Sequence, residues 1–217
     1  MARGIVGLVL AFAAAGVARG EEWRTPDGVA SVARPDPARF VAVGADPPAL
    51  VVWELPDGTM RMLVWEMPAP PGVTLAKGHI EKGFLREVNA NFADAELVAS
   101  EVEARDGREV FTMTAKARDD AGIPVYCTQA ITLAGAKTYK VMAFGAGKNT
   151  RADPDAAAFV ASFRVVAGVP AAAPPAAAAP NQKPAVNDVA YNAGRIAGMC
   201  LFVAGVLWVI RRVSRGG

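Results

Sequence analysis

Histidine and cysteine are nearly absent from this chain of 217 residues, which has one His and two Cys. One imidazole, His79, cannot supply a metal cluster, and no Cys/His spacing near it helps. It reads as a surface residue near the start of a helix. Cys127 alternates with Val125 and Ile131 along a strand-like stretch and reads as a small buried hydrophobe. Cys200 lies in a distant apolar segment, so the two thiols are not expected to pair. No basic partner is specified for either, as a catalytic thiol would need. The uninterrupted apolar run near the C-terminus, residues 196–210, is by itself short of a bilayer core, fifteen residues or about 22 Å as helix against roughly 30 Å.

Basic charge is also scarce where a folded domain would sit. Of the 23 Lys and Arg, six lie in the terminal segments (Arg3, Arg19, Arg195, Arg211, Arg212, Arg215). That leaves 17 against 21 Asp and Glu over residues 21–188, a net charge of −4. A mildly acidic domain without a basic stripe argues against nucleic-acid binding. The formal overall charge of +2 therefore reports on the chain ends.

The ends have recognisable layouts. "MARGIVGLVLAFAAAGVARGEEW" places Arg3 ahead of an apolar run and then small residues, the pattern of a cleavable export signal over 1–20. Extending 196–210 back to Ala190 reaches about 31 Å, enough for the roughly 30 Å hydrocarbon core. Arg195 then lies near one end, where its long side chain can snorkel. Tyr191 and Trp208 lie where interfacial aromatics belong, and Arg211 and Arg212 place the C-terminus inside by the excess of positive charge. The expectation is a single span over 189–210 with a basic cytoplasmic tail over 211–217. Between span and domain, "GVPAAAPPAAAAPNQKPAVNDV" is rich in Pro and Ala. Such a stretch favours extended polyproline-like structure at about 3.1 Å per residue, so 168–188 reads as a stalk reaching up to about 65 Å.

Residues 21–167 read as the exported globular domain. Asp27-Gly28, Asp57-Gly58 and Asp106-Gly107 are hairpin signals, because both central residues of such a turn tolerate positive φ. In "ALVVWELPDGTMRMLVWEM" the turn pairs Glu54 with Arg61 and Trp53 with Met62. Val51, Trp53, Leu55, Met60, Met62 and Val64 form a core face. Leu50, Val52, Leu63 and Trp65 form the other face. A helix over it is the favoured expectation; left bare, it would be an apolar patch needing a partner.

Ile80, Phe84, Val88 and Phe92 make one apolar stripe of an amphipathic helix, with Lys77, Lys82, Arg86 and Glu87 on its wet side. Alternation returns at 97–104, 109–117, 123–133 and 138–145, a meander of antiparallel strands. Glu101 and Glu103 fall on one face of the first of these, opposite Val98 and Val102, and read as a solvated surface. Asp153 as N-cap with Pro154 after it opens a closing helix that packs Phe159, Val160 and Phe163 inward. The 144–150 stretch "FGAGKNT" lacks the spacing of a phosphate-binding loop and reads as a connection.

Strands, one helix, four meandering strands and a closing helix define an α+β antiparallel sheet covered by helices. This order resembles the PsbP-like fold, named for the extrinsic photosystem II subunit and shared by exported bacterial proteins. The resemblance covers roughly residues 22–166 and rests on element order and the "AAAFVASFRV" ending. It implies a small binding or assembly module rather than an enzyme. No cofactor, metal ligand or catalytic residue is assigned. The expected function is a membrane-tethered extracytoplasmic binding or scaffold module in the bacterial inner membrane, its domain periplasmic, contacting another envelope protein. The alternative is a small-ligand protein or hydrolase whose pocket combines carboxylates with Trp65.

Overall fold

The computed structural model describes residues 21–69 and 73–166. The export-signal segment, the stalk and the expected span, with Tyr191, Arg195, Trp208, Arg211 and Arg212, lie outside the described residues. Among those described, no helix is long and apolar enough to cross a membrane.

Among the described residues, ten strands and two helices follow in the order β1 (Glu22–Arg24), β2 (Ala30–Ala33), β3 (Val41–Val43), β4 (Ala49–Glu54), β5 (Met60–Pro68), α1 (Lys77–Asn89), β6 (Ala93–Arg105), β7 (Arg108–Arg118), β8 (Pro124–Ala134), β9 (Lys137–Ala146), α2 (Pro154–Ala161) and β10 (Arg164–Val165). Seven strands form one antiparallel sheet in the order β3-β4-β5-β9-β8-β7-β6. The other three form a small sheet, β1-β2-β10. The meander appears as expected. The small sheet is additional: its strands run to two to four residues, too short for alternation to reveal them.

Each Asp-Gly pair makes a hairpin, between β1 and β2, β4 and β5, and β6 and β7. Gly28, Gly58 and Gly107 adopt φ of 69°, 70° and 75°, and Asp106 joins Gly107 at 52°. The β4–β5 register is the expected one, with Trp53 opposite Met62 and Glu54 opposite Arg61. The Arg61–Glu54 ion pair closes at 2.8 Å.

The large sheet carries a core on each face. On one, Trp53, Met60, Met62 and Val64 pack against Phe159, Val160 and Phe163 of α2 and its extension, with Ala30 and Val32 of the small sheet. Trp23 and Phe159 each meet Trp53 edge-on, at 5.9 and 5.8 Å between ring centroids. These contacts join the small sheet and α2 to the large sheet through one indole. On the other face, Leu63, Trp65, Met113, Ala115 and Met142 pack against Phe84 and Val88 of α1. Asp153 caps α2 as expected, accepting from the Asp155 and Ala156 N–H groups.

Leu63 and Trp65 are each 1% exposed and Val52 is also buried, with Leu50 half-buried, so this face is core beneath α1, the helix cover favoured above, and the bare partner patch of Leu50, Val52, Leu63 and Trp65 is absent. One expectation needs correction. Glu87 does not lie on the wet side of α1 but is buried, because Lys140 on β9 meets it from the sheet below.

Candidate functional site

A groove of about 240 Å³ opens between β6–β8 and α2. Its floor is threonine. Thr128 Oγ1 lies 3.0 Å from Thr114 Oγ1 and 2.7 Å from Thr150 Oγ1, linking β7, β8 and the loop after β9. Gly145 lets that loop close over the strand. A Cβ there would collide with the Lys148 carbonyl, so only glycine fits so close to neighbouring backbone.

The rim carries both signs of charge. Arg105 donates to Glu103 Oε2 at 3.0 Å, and its other guanidinium nitrogens reach the Val160 carbonyl at 3.1 Å and Thr112 Oγ1 at 3.5 Å. It thereby satisfies a carbonyl at the C-terminal end of α2, where a cation is favoured. Arg151, in the loop after β9, reaches Glu101 at 3.2 Å. Ala157, Val160 and Ala161 supply the helical wall. The carboxylates are on the solvated surface expected of them. Val98 and Val102 are exposed as well, at 50% and 41%, on the strand that ends the sheet.

The groove does not include Trp65. Its carboxylates lie on the α2 side of the sheet, whereas Trp65 is sealed on the α1 side. A single pocket built from Glu101, Glu103 and Trp65 is therefore not present. His79 is exposed on α1. Cys127 is buried, and burial pushes its thiol well above the usual range, with Glu87 adding to the rise against the opposing pull of Lys140. Such a thiol stays protonated and is a poor nucleophile.

Two polar centres escaped the sequence reading. Asp27, in the first hairpin turn, accepts from Lys137 Nζ at 2.7 Å and Tyr139 Oη at 2.6 Å, tying the small sheet to β9. Burial pushes its carboxyl up, but the hydrogen bonds from Lys137, Tyr139, Thr25 and the Val29 N–H outweigh this and hold it well below the usual range. The second is Glu87–Lys140 under α1. The only local signals were a lysine inside the apolar alternation of β9 and a glutamate next to Val88.

The architecture is that of a small α+β domain, an antiparallel sheet with helices on both faces and an open groove at one edge. Its fold is PsbP-like. The cyanobacterial PsbP (CyanoP) of Synechocystis sp. PCC 6803 matches with a TM-score of 0.54 at 19% identity, over 75% of this chain and 98% of that one. The Ran-binding protein Mog1p of Saccharomyces cerevisiae matches at TM-score 0.45 and 13% identity, over 68% of this chain and 95% of that one. LpqN of Mycobacterium tuberculosis, involved in cell envelope biogenesis, gives 0.36 and 11%, over 67% and 81%. No family model and no curated protein matches the sequence. At these identities the likeness is one of fold, and fold alone does not carry function.

Proposed function

We propose that this chain is a membrane-tethered, extracytoplasmic binding module that contacts another envelope protein and performs no catalysis of its own. The observation behind this reading is an open groove whose polar groups contact one another and are not arranged for chemistry. Glu101 and Glu103 are each ion-paired to an arginine, and the threonine hydroxyls are bonded to one another. None of these contacts is the nucleophile-to-base pairing of covalent catalysis. Beside the groove, a sheet edge stands open to solvent.

The tether is supported by the sequence: a signal-like start over 1–20, a Pro-rich stalk over 168–188 and an apolar segment over 189–210 flanked by Arg211 and Arg212. In this reading the domain stands outside the bacterial inner membrane, in the periplasm, with the tail in the cytoplasm. The partner is a protein rather than nucleic acid, given the acidic balance of residues 21–188.

The test is protease treatment of spheroplasts that express the full chain with a photo-crosslinking residue at Ala157. Release of a fragment beginning near Glu21 and ending within 168–188, with one discrete cross-linked protein, is expected. A domain protected from protease, or a domain that cross-links nothing at any surface position tried, overturns the reading.

A further inference from the structure

Among the described residues, β6 is the terminal strand of the large sheet and pairs on one side only, with β7. Asp106 and Gly107 form the two-residue turn between them, and Arg105 lies directly opposite Arg108. In such a hairpin the pair flanking the turn exchanges both backbone hydrogen bonds, and hydrogen-bonded pairs alternate from there. Glu103 and Glu101 therefore turn their N–H and C=O groups toward β7. Ala104, Val102 and Ser100 turn theirs outward. The Ser100 carbonyl accepts from Lys77 Nζ at 3.4 Å, which agrees with that sense.

The first half of this edge is closed. The Ala95 N–H donates to Asn89 Oδ1 at 3.0 Å, register shifts interrupt 93–96 and 97–99, and Lys77 covers Ser100. The second half is open, with residues 101–104 all exposed. Val102 and Ala104 thus direct two N–H donors and two C=O acceptors at solvent, the template to which another extended chain adds.

We propose that residues 101–104 take an extended basic segment of a partner protein as an added strand. Lysine or arginine would stand opposite Glu101 and Glu103, with an apolar residue opposite Val102. This rests on the binding-module reading and names the kind of partner. Side chains of the added strand that stand opposite the two glutamates rise on the groove side. There they meet two carboxylates and the C-terminal end of α2, both of which favour a cation. Arg105 already occupies such a position from within, bonded to Glu103 and the Val160 carbonyl.

The cations nearby do not close the site. Arg105 has only 11% of its side chain exposed, so it adds little to the outer surface. The Arg151–Glu101 pair is about half exposed on both sides, where such pairs contribute little and open readily. Each carboxylate has about four acceptor positions and so retains capacity for a further donor. Lys77 sits at Ser100 and marks where the open segment ends. A second copy of the chain is the poorer occupant. Pairing of two copies about Val102 sets Glu101 of each opposite Glu103 of the other, and like charges directly opposite are destabilising.

The experiment uses the full chain in detergent and a fluorescent peptide of alternating Lys and Val flanked by Thr. Controls are the same peptide with Glu for Lys, and one whose alternate backbone amides are N-methylated. Expected are saturable binding of the basic peptide, at least tenfold weaker binding of both controls, and hydrogen-exchange protection at Val102 and Ala104. The Glu101→Lys/Glu103→Lys variant, folded by its thermal midpoint, should lose binding tenfold or more. Equal binding of the N-methylated peptide, protection elsewhere, no binding at millimolar peptide, or the same protection from self-association alone overturns the proposal. A protein cross-linked from Ala157 in spheroplasts without protection at Val102 would remove the edge proposal and leave the binding module standing.

Discussion

Lys140 Nζ lies 2.7 and 2.9 Å from the two carboxylate oxygens of Glu87, in a pair whose side chains are 2% and 4% exposed. The same ammonium sits 5.0 Å from the centroid of the Trp65 ring. α1 is thus fastened to β9 by a buried charged pair. Burial pushes the Glu87 carboxyl up, against the attraction of Lys140.

Breaking that pair from one side leaves a buried charge without its partner. Lys140→Met should cost about 3–5 kcal/mol. Replacing both groups, Glu87→Leu with Lys140→Met, should return stability to within about 1 kcal/mol of the parent or above it, because the desolvation cost of both ions disappears. Urea unfolding followed by tryptophan fluorescence measures both. A double variant as unstable as the single one would mean that the pair is a net source of stability.

Asp27 is held ionised by Lys137 and Tyr139, so its folded pKa lies below its unfolded one. A depressed carboxyl contributes stability that is present above the unfolded value, about 3.9 for Asp, and is lost as pH falls toward the folded value. Asp27→Asn should therefore lower the urea midpoint clearly at pH 7 and progressively less below pH 4. A gap between variant and parent that stays constant from pH 7 to pH 3 would contradict the ion-pair account.

Gly145→Ala should destabilise by about 1–3 kcal/mol, the usual range for overpacking. The added methyl meets the Lys148 carbonyl, and the loop must move, drawing Thr150 away from Thr128. Faster hydrogen exchange across 147–153 would accompany the loss; an unchanged loop would show that β9 shifts instead.

Cys127 should resist thiol reagents in the native state. It is 1% exposed and its thiol is held protonated, chiefly by burial. In a Cys200→Ser background, modification at pH 8 should be at least a hundredfold slower than for free cysteine and should become rapid in urea. Fast native reaction would mean that α1 lifts from the sheet readily.

The local elements were legible in the sequence because each depends on neighbours along the chain. Asp57-Gly58 sets the β4–β5 register through its turn, Ile80, Phe84 and Val88 write a helical stripe, and Asp153-Pro154 starts α2. What lies over a face, and which strand is last in the sheet, depends on partners far along the chain. Trp65 is sealed only because α1 folds back over β5, β9, β8 and β7. Glu87 is buried only because Lys140, 53 positions away, stands beneath it. Val102 is exposed on β6, which among the described residues pairs on one side only, and alternation along β6 holds no trace of that position in the sheet. Periodicity within a segment reports which residues share a face; long-range packing alone decided whether that face met a helix, another strand or water.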